Sequence, residues 1–210
     1  MTVEPSTAAN PGRGRRLAVF VSGSGRTLVN LADRIAAGSL RAEIGCVVAS
    51  RECRGAEFAR DRGIGTRVIA PASLNGDGLA KLLGDNRIDW VVLAGYLNLL
   101  PIPQGYENRV VNIHPALLPA FGGPGMYGHH VHNAVIHAGC KVSGCTVHLC
   151  NSQYDRGPIV AQATCEVLEG DTADSLAARV FALELELYPM ALSLLLDGRV
   201  RVEGGRTRIV

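Results

Sequence analysis

A chain of 210 residues, 47% of them hydrophobic and 19% charged, can bury roughly 70% of its unfolded surface in one domain, which excludes a disordered polymer. Its formal net charge of +2 is too small to argue for a nucleic-acid partner, and no apolar run approaches the roughly 20 residues of a membrane helix. The opening stretch MTVEPSTAANPGRGRR lacks the apolar centre of a secretory signal, so residues 1–14 are expected to be a flexible tail ahead of a single domain over 15–210. Arg13, Arg15 and Arg16 read as a solvated basic cluster.

Along the chain, strand and helix periods alternate. RLAVFV (16–21) is a continuous apolar run bounded by glycines. TLVNLADRIAAG (27–38) places Leu28, Leu31 and Ile35 at helical spacing, and EIGCVVAS (43–50) is again strand-like. A helix over 55–62, a short strand over 66–69, a helix over 78–83 and the buried strand DWVVLAG (89–95) continue the pattern. Such alternation predicts a parallel sheet covered by helices on both faces, with ligands at the carboxyl ends of its strands. RVVNIHPALLP (109–119) starts as a strand and is stopped by Pro115. After residue 140, VSGCTVHLC and PIVAQATCEVL predict antiparallel strands added to the sheet. A long amphipathic helix follows, capped by Thr172 or Asp171 and bent at Pro189. RVRVEGGRTRIV closes the chain as a hairpin turning at Gly204 and Gly205.

Two constellations carry chemistry. SGSGRTL (22–28) joins the first strand to the first helix, where glycines let a ligand approach the backbone and helix amides attract an anion; the alternative is a tight turn without a ligand. A dinucleotide fingerprint would need a third glycine where Leu28 stands, and an acid where the second strand ends in Ser50 and Arg51. A monophosphate therefore fits better than NAD. The second constellation is Asn112 with His114, two residues apart and so on one face of a strand, joined by Asp155 in the loop NSQYDRGPIVAQ. Each alone reads as a turn or packing residue. Together, Asp155 could favour the charged form of a neighbouring histidine, and histidinium with an Asn amide could stabilise an oxyanion and move protons. Sequence spacing does not itself bring Asp155 to His114. Cys46, Cys53, Cys140, Cys145, Cys150 and Cys165 form no C-x-x-C pair, so free thiols in a reducing cytoplasm and no metal are expected.

GSGRTL, LAGYLNLLP, NIHPALLPAF, VSGCTVHL, YDRGPIVAQ and AARVFALELELYP occur in the order found in the phosphoribosylglycinamide formyltransferases, a family of the folate-dependent formyltransferase superfamily, and the likeness covers nearly all of 16–203. The resemblance implies an α/β, Rossmann-like formyltransferase fold: a mostly parallel twisted sheet flanked by helices, with antiparallel C-terminal strands. It implies transfer of a formyl group from 10-formyltetrahydrofolate to glycinamide ribonucleotide in purine synthesis. By it, Asn112, His114 and Asp155 match the catalytic trio, with His114 the general acid and Asp155 raising its pKa. Gly23, Gly25, Arg26 and Thr27 would hold the substrate phosphate, Glu184 its glycinamide end, and Leu97, Asn98, Leu99 and Leu100, with Asn112, the folate.

Departures accompany the likeness. Many relatives carry Asn at the position of Thr27 and Arg at that of Asn98. The glycine-rich FGGPGMYGHHVH (121–132) reads as a mobile flap. His132 resembles a second family histidine near the site, whereas His129, His130 and His137 read as surface residues. The same core would also suit a sugar-nucleotide formyltransferase, a formyltetrahydrofolate deformylase or an inactive nucleotide-binding module.

Overall fold

The computed structural model describes residues 14–210; the expected tail falls outside the described residues except for Gly14, as does Arg13. β1 (Arg15–Val21), β2 (Ala42–Ala49), β3 (Thr66–Val68), β4 (Trp90–Leu93) and β5 (Val110–His114) form the parallel part of a seven-stranded sheet of order β3-β2-β1-β4-β5-β6-β7. β6 (Val142–Leu149) and β7 (Ile159–Glu166) extend it antiparallel, as the change of pattern after residue 140 predicts. β8 (Val200–Glu203) and β9 (Arg206–Ile209) form a separate hairpin that turns at Gly204 and Gly205.

The alternation of β1 sorts its side chains to two faces, and each face meets helices. Leu17, Val19 and Val21 pack with Leu28 and Leu31 of α1 (Arg26–Ala36), Ala56 and Ala59 of α2 (Arg54–Asp61), and Leu176, Tyr188 and Leu192 of α5 (Ala173–Leu196). Ala18 and Phe20 pack on the other side with Leu79, Leu82 and Leu83 of α3 (Gly76–Asp85). Each fully buried Leu or Phe of this kind contributes about 1.5–3 kcal/mol.

α5 begins at a capping box: Thr172 Oγ1 accepts from Ser175 N–H at 3.2 Å, and Ser175 Oγ accepts from Thr172 N–H at 3.0 Å. Asp171 instead binds Arg179, so Thr172 is the cap. The helix carries Pro189 in its interior and runs on to Leu196. Tyr188 reaches from it beneath the sheet, and its hydroxyl lies 2.9 Å from Leu93 O and 3.0 Å from Val111 O, tying α5 to β4 and β5.

One expectation needs correction. The segment read as a flap, 121–132, is irregular only to Gly128; from there α4 (His129–His137) is a helix that buries Val131 and Val135. These two apolar residues stand four apart, the spacing of one helical face, but the glycines before them masked so short a pattern. Phe121, Gly123, Gly125 and Gly128 all have positive φ, which keeps the preceding stretch out of regular structure.

Candidate active site

The carboxyl ends of β1, β4 and β5 and the loop after β6 enclose a cavity of about 580 Å³. Gly23, Gly25, Arg26, Thr27, Leu97, Asn98, Leu99, Leu100, Asn112, His114, Asp155 and Glu184 all line it, so the sequence candidates meet in one place.

At the β1 end, Gly25 takes φ 72° as N-cap of α1; a Cβ there would lie 2.5 Å from the Gly55 Cα. Only glycine fits, because both the left-handed backbone and the neighbouring chain reject a side chain. No side chain caps α1, and its first turn carries no acid, which leaves its N-terminal amides directed at the cavity end. The Arg26 guanidinium lies over the Phe181 ring at 3.9 Å. Burial pushes Glu184 up to about 7, with Arg26 pulling the other way.

The 97–100 wall is tied at both ends. Leu97 N–H donates to Ser22 Oγ at 3.2 Å, and Leu99 N–H donates to Tyr154 Oη at 2.8 Å. Leu99 and Leu100, with Cys150 and Asn151, also line a second cavity of about 730 Å³, so the two spaces adjoin.

The polar centre is held between β5, β6 and the loop before β7. His114, 3% exposed, has Nε2 2.8 Å from Phe121 O and Nδ1 3.6 Å from Asp155 Oδ2. Asp155 sits at φ 55°, a conformation Asp tolerates better than most side chains, and Gly123 N–H donates to its Oδ2 at 2.9 Å. His148, 2% exposed and directly across the ladder from Asn112, completes the group. Its Nδ1 is 3.0 Å from Leu149 O and its Nε2 3.1 Å from Asn112 Nδ2 and 3.5 Å from Asp155 Oδ1. A carbonyl can only accept, so His148 carries its proton on Nδ1 when neutral, and Nε2 accepts from the Asn112 amide. This fixes which way Asn112 faces.

Charge states follow from these neighbours. Burial raises Asp155, but the His148 and His114 rings beside it and the Gly123 N–H together bring its carboxyl below the usual range, so it is ionised at neutral pH. Burial depresses His114 more than Asp155 and the Phe121 carbonyl restore it, and His148 lowers it further. Asp155 does act upward, as expected, but the expected net rise is reversed because the imidazole is so thoroughly enclosed. His114 thus rests neutral at neutral pH.

A family model described as formyl transferase matches residues 15–192. The chloroplastic phosphoribosylglycinamide formyltransferase of Arabidopsis thaliana is 38% identical over 210 residues, covering 96% of this chain and 72% of that protein. The chain belongs to the phosphoribosylglycinamide formyltransferases. The Vigna unguiculata chloroplastic formyltransferase of the same name is 41% identical over 196 residues, 90% of this chain and 63% of that one. A solved glycinamide ribonucleotide transformylase 1 from Symbiobacterium toebii superposes with a TM-score of 0.88 at 36% identity, covering 99% of this chain and 100% of that chain.

Within this formyltransferase family frame, some site residues were not evident from sequence. His148 lies in VSGCTVHL, quoted above as a strand and as a motif without a role for its histidine; its place two residues from Thr146, on the same sheet face as Asn112 and His114, was the available signal. Tyr154, one residue before Asp155, carried no signal of its bond to Leu99. His132, 4% exposed, lines the cavity with its Nδ1 unpartnered, and burial, then His129 and His114, lower its pKa. His129, His130 and His137 are exposed as expected, although His129 also borders the cavity and pairs with Asp174 at 3.3 Å. Among the described residues no helix is long and apolar enough to cross a membrane, and no group of three or more His, Cys, Asp or Glu is placed to hold a metal ion.

Proposed function

We propose that this chain transfers the formyl group of 10-formyltetrahydrofolate to the amine of glycinamide ribonucleotide, giving formylglycinamide ribonucleotide in purine biosynthesis. The observation that carries the reading is the meeting of Asn112, His114, Asp155 and an uncapped helix N-terminus at one cavity. Gly23, Gly25, Arg26 and Thr27 hold the phosphate, and Glu184 receives the glycinamide end. Leu97, Asn98, Leu99 and Leu100 present an apolar wall with backbone groups to the folate, and the adjoining second cavity gives its ring system room; ligand sites commonly span about 300–1,000 Å³.

His114 is the proton carrier in this reading. Resting neutral with its Nε2–H on Phe121 O, it takes the proton released by the attacking amine at Nδ1, where the Asp155 carboxylate stabilises the new charge. As imidazolium it then acts as the general acid and returns the proton to the departing folate nitrogen. Asn112, aimed by His148, donates its remaining amide hydrogen to the oxyanion that develops on the formyl oxygen. Holding both reactants against these groups accounts for the proximity part of the rate.

The organisation we attach to this reading is one domain over 15–210 behind a flexible tail over 1–14, with limited proteolysis as its test. We also place the protein in the cytoplasm: its six cysteines are free, which suits a reducing compartment, and cell fractionation tests it.

The deciding experiment supplies 10-formyltetrahydrofolate with glycinamide ribonucleotide, a sugar-nucleotide amine, or water alone. Formylation of the ribonucleotide, with poor use of its unphosphorylated riboside, is expected. Equal kcat/KM for ribonucleotide and riboside removes the phosphate role, and formate release without an acceptor points instead to a deformylase.

A further inference from the structure

Two arginines border the glycine loop, and they are held differently. Arg26 spreads its guanidinium over Phe181 and faces Glu184. Arg51 leaves the carboxyl end of β2 and donates from Nε to Ser22 O at 3.0 Å. Ser22 is itself fixed, because its hydroxyl accepts from Ser50 Oγ at 2.8 Å and from Leu97 N–H. The Arg51 side chain is thus anchored to the loop through its first nitrogen, and it lines the cavity together with Ser24, Gly25, Arg26 and Thr27.

Its terminal nitrogens, Nη1 and Nη2, engage no other group among the described residues. Most arginines of this chain that make a side-chain contact end on an acid, as Arg41 does on Asp197, Arg62 on Asp33 and Arg179 on Asp171. The acid next in sequence to Arg51, Glu52, is occupied by both terminal nitrogens of Arg60. What remains is a planar fork with its base fixed and two parallel donors open, the arrangement that matches two oxygens of a phosphate.

We propose that Arg51 is a second phosphate-binding residue of the acceptor site, gripping the ribonucleotide phosphate alongside the amides of α1. The assignment rests on the function proposed above. Amides at a helix N-terminus accept any small anion. A bidentate, permanently charged partner adds preference for a dianionic phosphate, so Arg51 sets acceptor specificity as well as affinity.

The test compares wild type, Arg51→Ala and Arg51→Lys, each shown by thermal melt to be folded. In Arg51→Ala the KM for glycinamide ribonucleotide rises about tenfold or more, the worth of a charge-assisted pair, with the loss in KM rather than kcat. The unphosphorylated riboside is used equally by both enzymes, and Arg51→Lys recovers only part of the loss because it lacks the fork. A rise in KM for the folate in place of the acceptor overturns the proposal, since Arg51 would then serve the other substrate's carboxylates. Equal weakening of ribonucleotide and riboside also overturns it, because Arg51 would only be holding the Ser22 loop in shape. A readout independent of turnover is titration of inorganic phosphate into each protein. If wild type transfers no formyl group, the functional reading fails separately, while a weaker phosphate isotherm in Arg51→Ala still supports the assignment and an unchanged isotherm refutes it.

Discussion

Asp155→Asn isolates the charge beside His114 while keeping the shape of the side chain. The amide can still accept from Gly123 N–H, so the loop keeps its anchor. At 3.6 Å, a unit charge on each partner is worth about 1 kcal/mol in a water-like medium and about 5 kcal/mol at an effective dielectric near 20. Both side chains are largely enclosed, so the effect lies above the lower figure, and a factor of ten accompanies each 1.4 kcal/mol. Removing the carboxylate therefore lowers the His114 pKa below its already depressed position, since the Asp155 charge was the main influence holding it up. His114 stays neutral to lower pH but can no longer keep the proton it receives. We expect kcat to fall about tenfold to a thousandfold, with the acidic limb of the pH–rate profile displaced to lower pH. Long-range nitrogen–proton NMR of the His114 ring, read alongside a thermal melt, supplies the test. An unmoved titration curve with an unchanged rate per folded molecule refutes the catalytic role of Asp155 and leaves it a turn residue.

Three further outcomes are expected. Gly25→Ala combines a left-handed backbone with a Cβ 2.5 Å from the Gly55 Cα, so it loses about 2–4 kcal/mol in chemical denaturation; a full-stability variant would mean the two helix starts can separate. Glu184→Gln removes a carboxyl whose folded pKa, about 7, stands above its unfolded 4.5, so wild type loses stability as pH rises across that interval and the variant does not; melts at pH 4 and pH 8 should show the variant gaining relative to wild type at the higher pH. His148→Phe leaves the Asn112 amide and Leu149 carbonyl without their ring partner, costing about 1–3 kcal/mol, and frees Asn112 to turn, with kcat down about tenfold; an unchanged rate would mean His148 does not aim Asn112.

The sheet was readable because its residues obey two clear periods. Leu17, Val19 and Val21 alternate with Ala18 and Phe20, and Leu28 and Leu31 repeat on one side of α1, so strand and helix could be told apart before any contact was known. Asn112 and His114 were readable as a pair for the same reason. What joins them to Asp155 was not, because 40 residues separate His114 from it and the return depends on β6 lying antiparallel to β5. His148 was invisible as a functional group because a histidine in an apolar strand looks like packing until its partner across the ladder is known. The charge of His114 was misjudged for a related reason: an acid nearby could be guessed from motifs, whereas near-complete enclosure is a property of the assembled fold. α4 was missed because a helix of 9 residues preceded by glycines offers too few repeats to show a period.

The two borders of the main sheet meet solvent in unequal ways. On one side β3 has only three residues, too few to serve as a template for another molecule's strand. On the other, β7 has eight, with side chains that alternate between covered and exposed, which is the kind of border that invites intermolecular pairing. The terminal hairpin answers part of that hazard: Thr207 Oγ1 donates to Ile159 O at 2.6 Å while Val200 and Val202 pack against the core. The first carbonyl of the open border is thereby occupied from within the chain. A chain shortened before Arg199 would keep every residue of the reaction centre yet bare this border, and its difficulty would be colloidal: slow self-association of correctly folded molecules at concentrations the full chain tolerates.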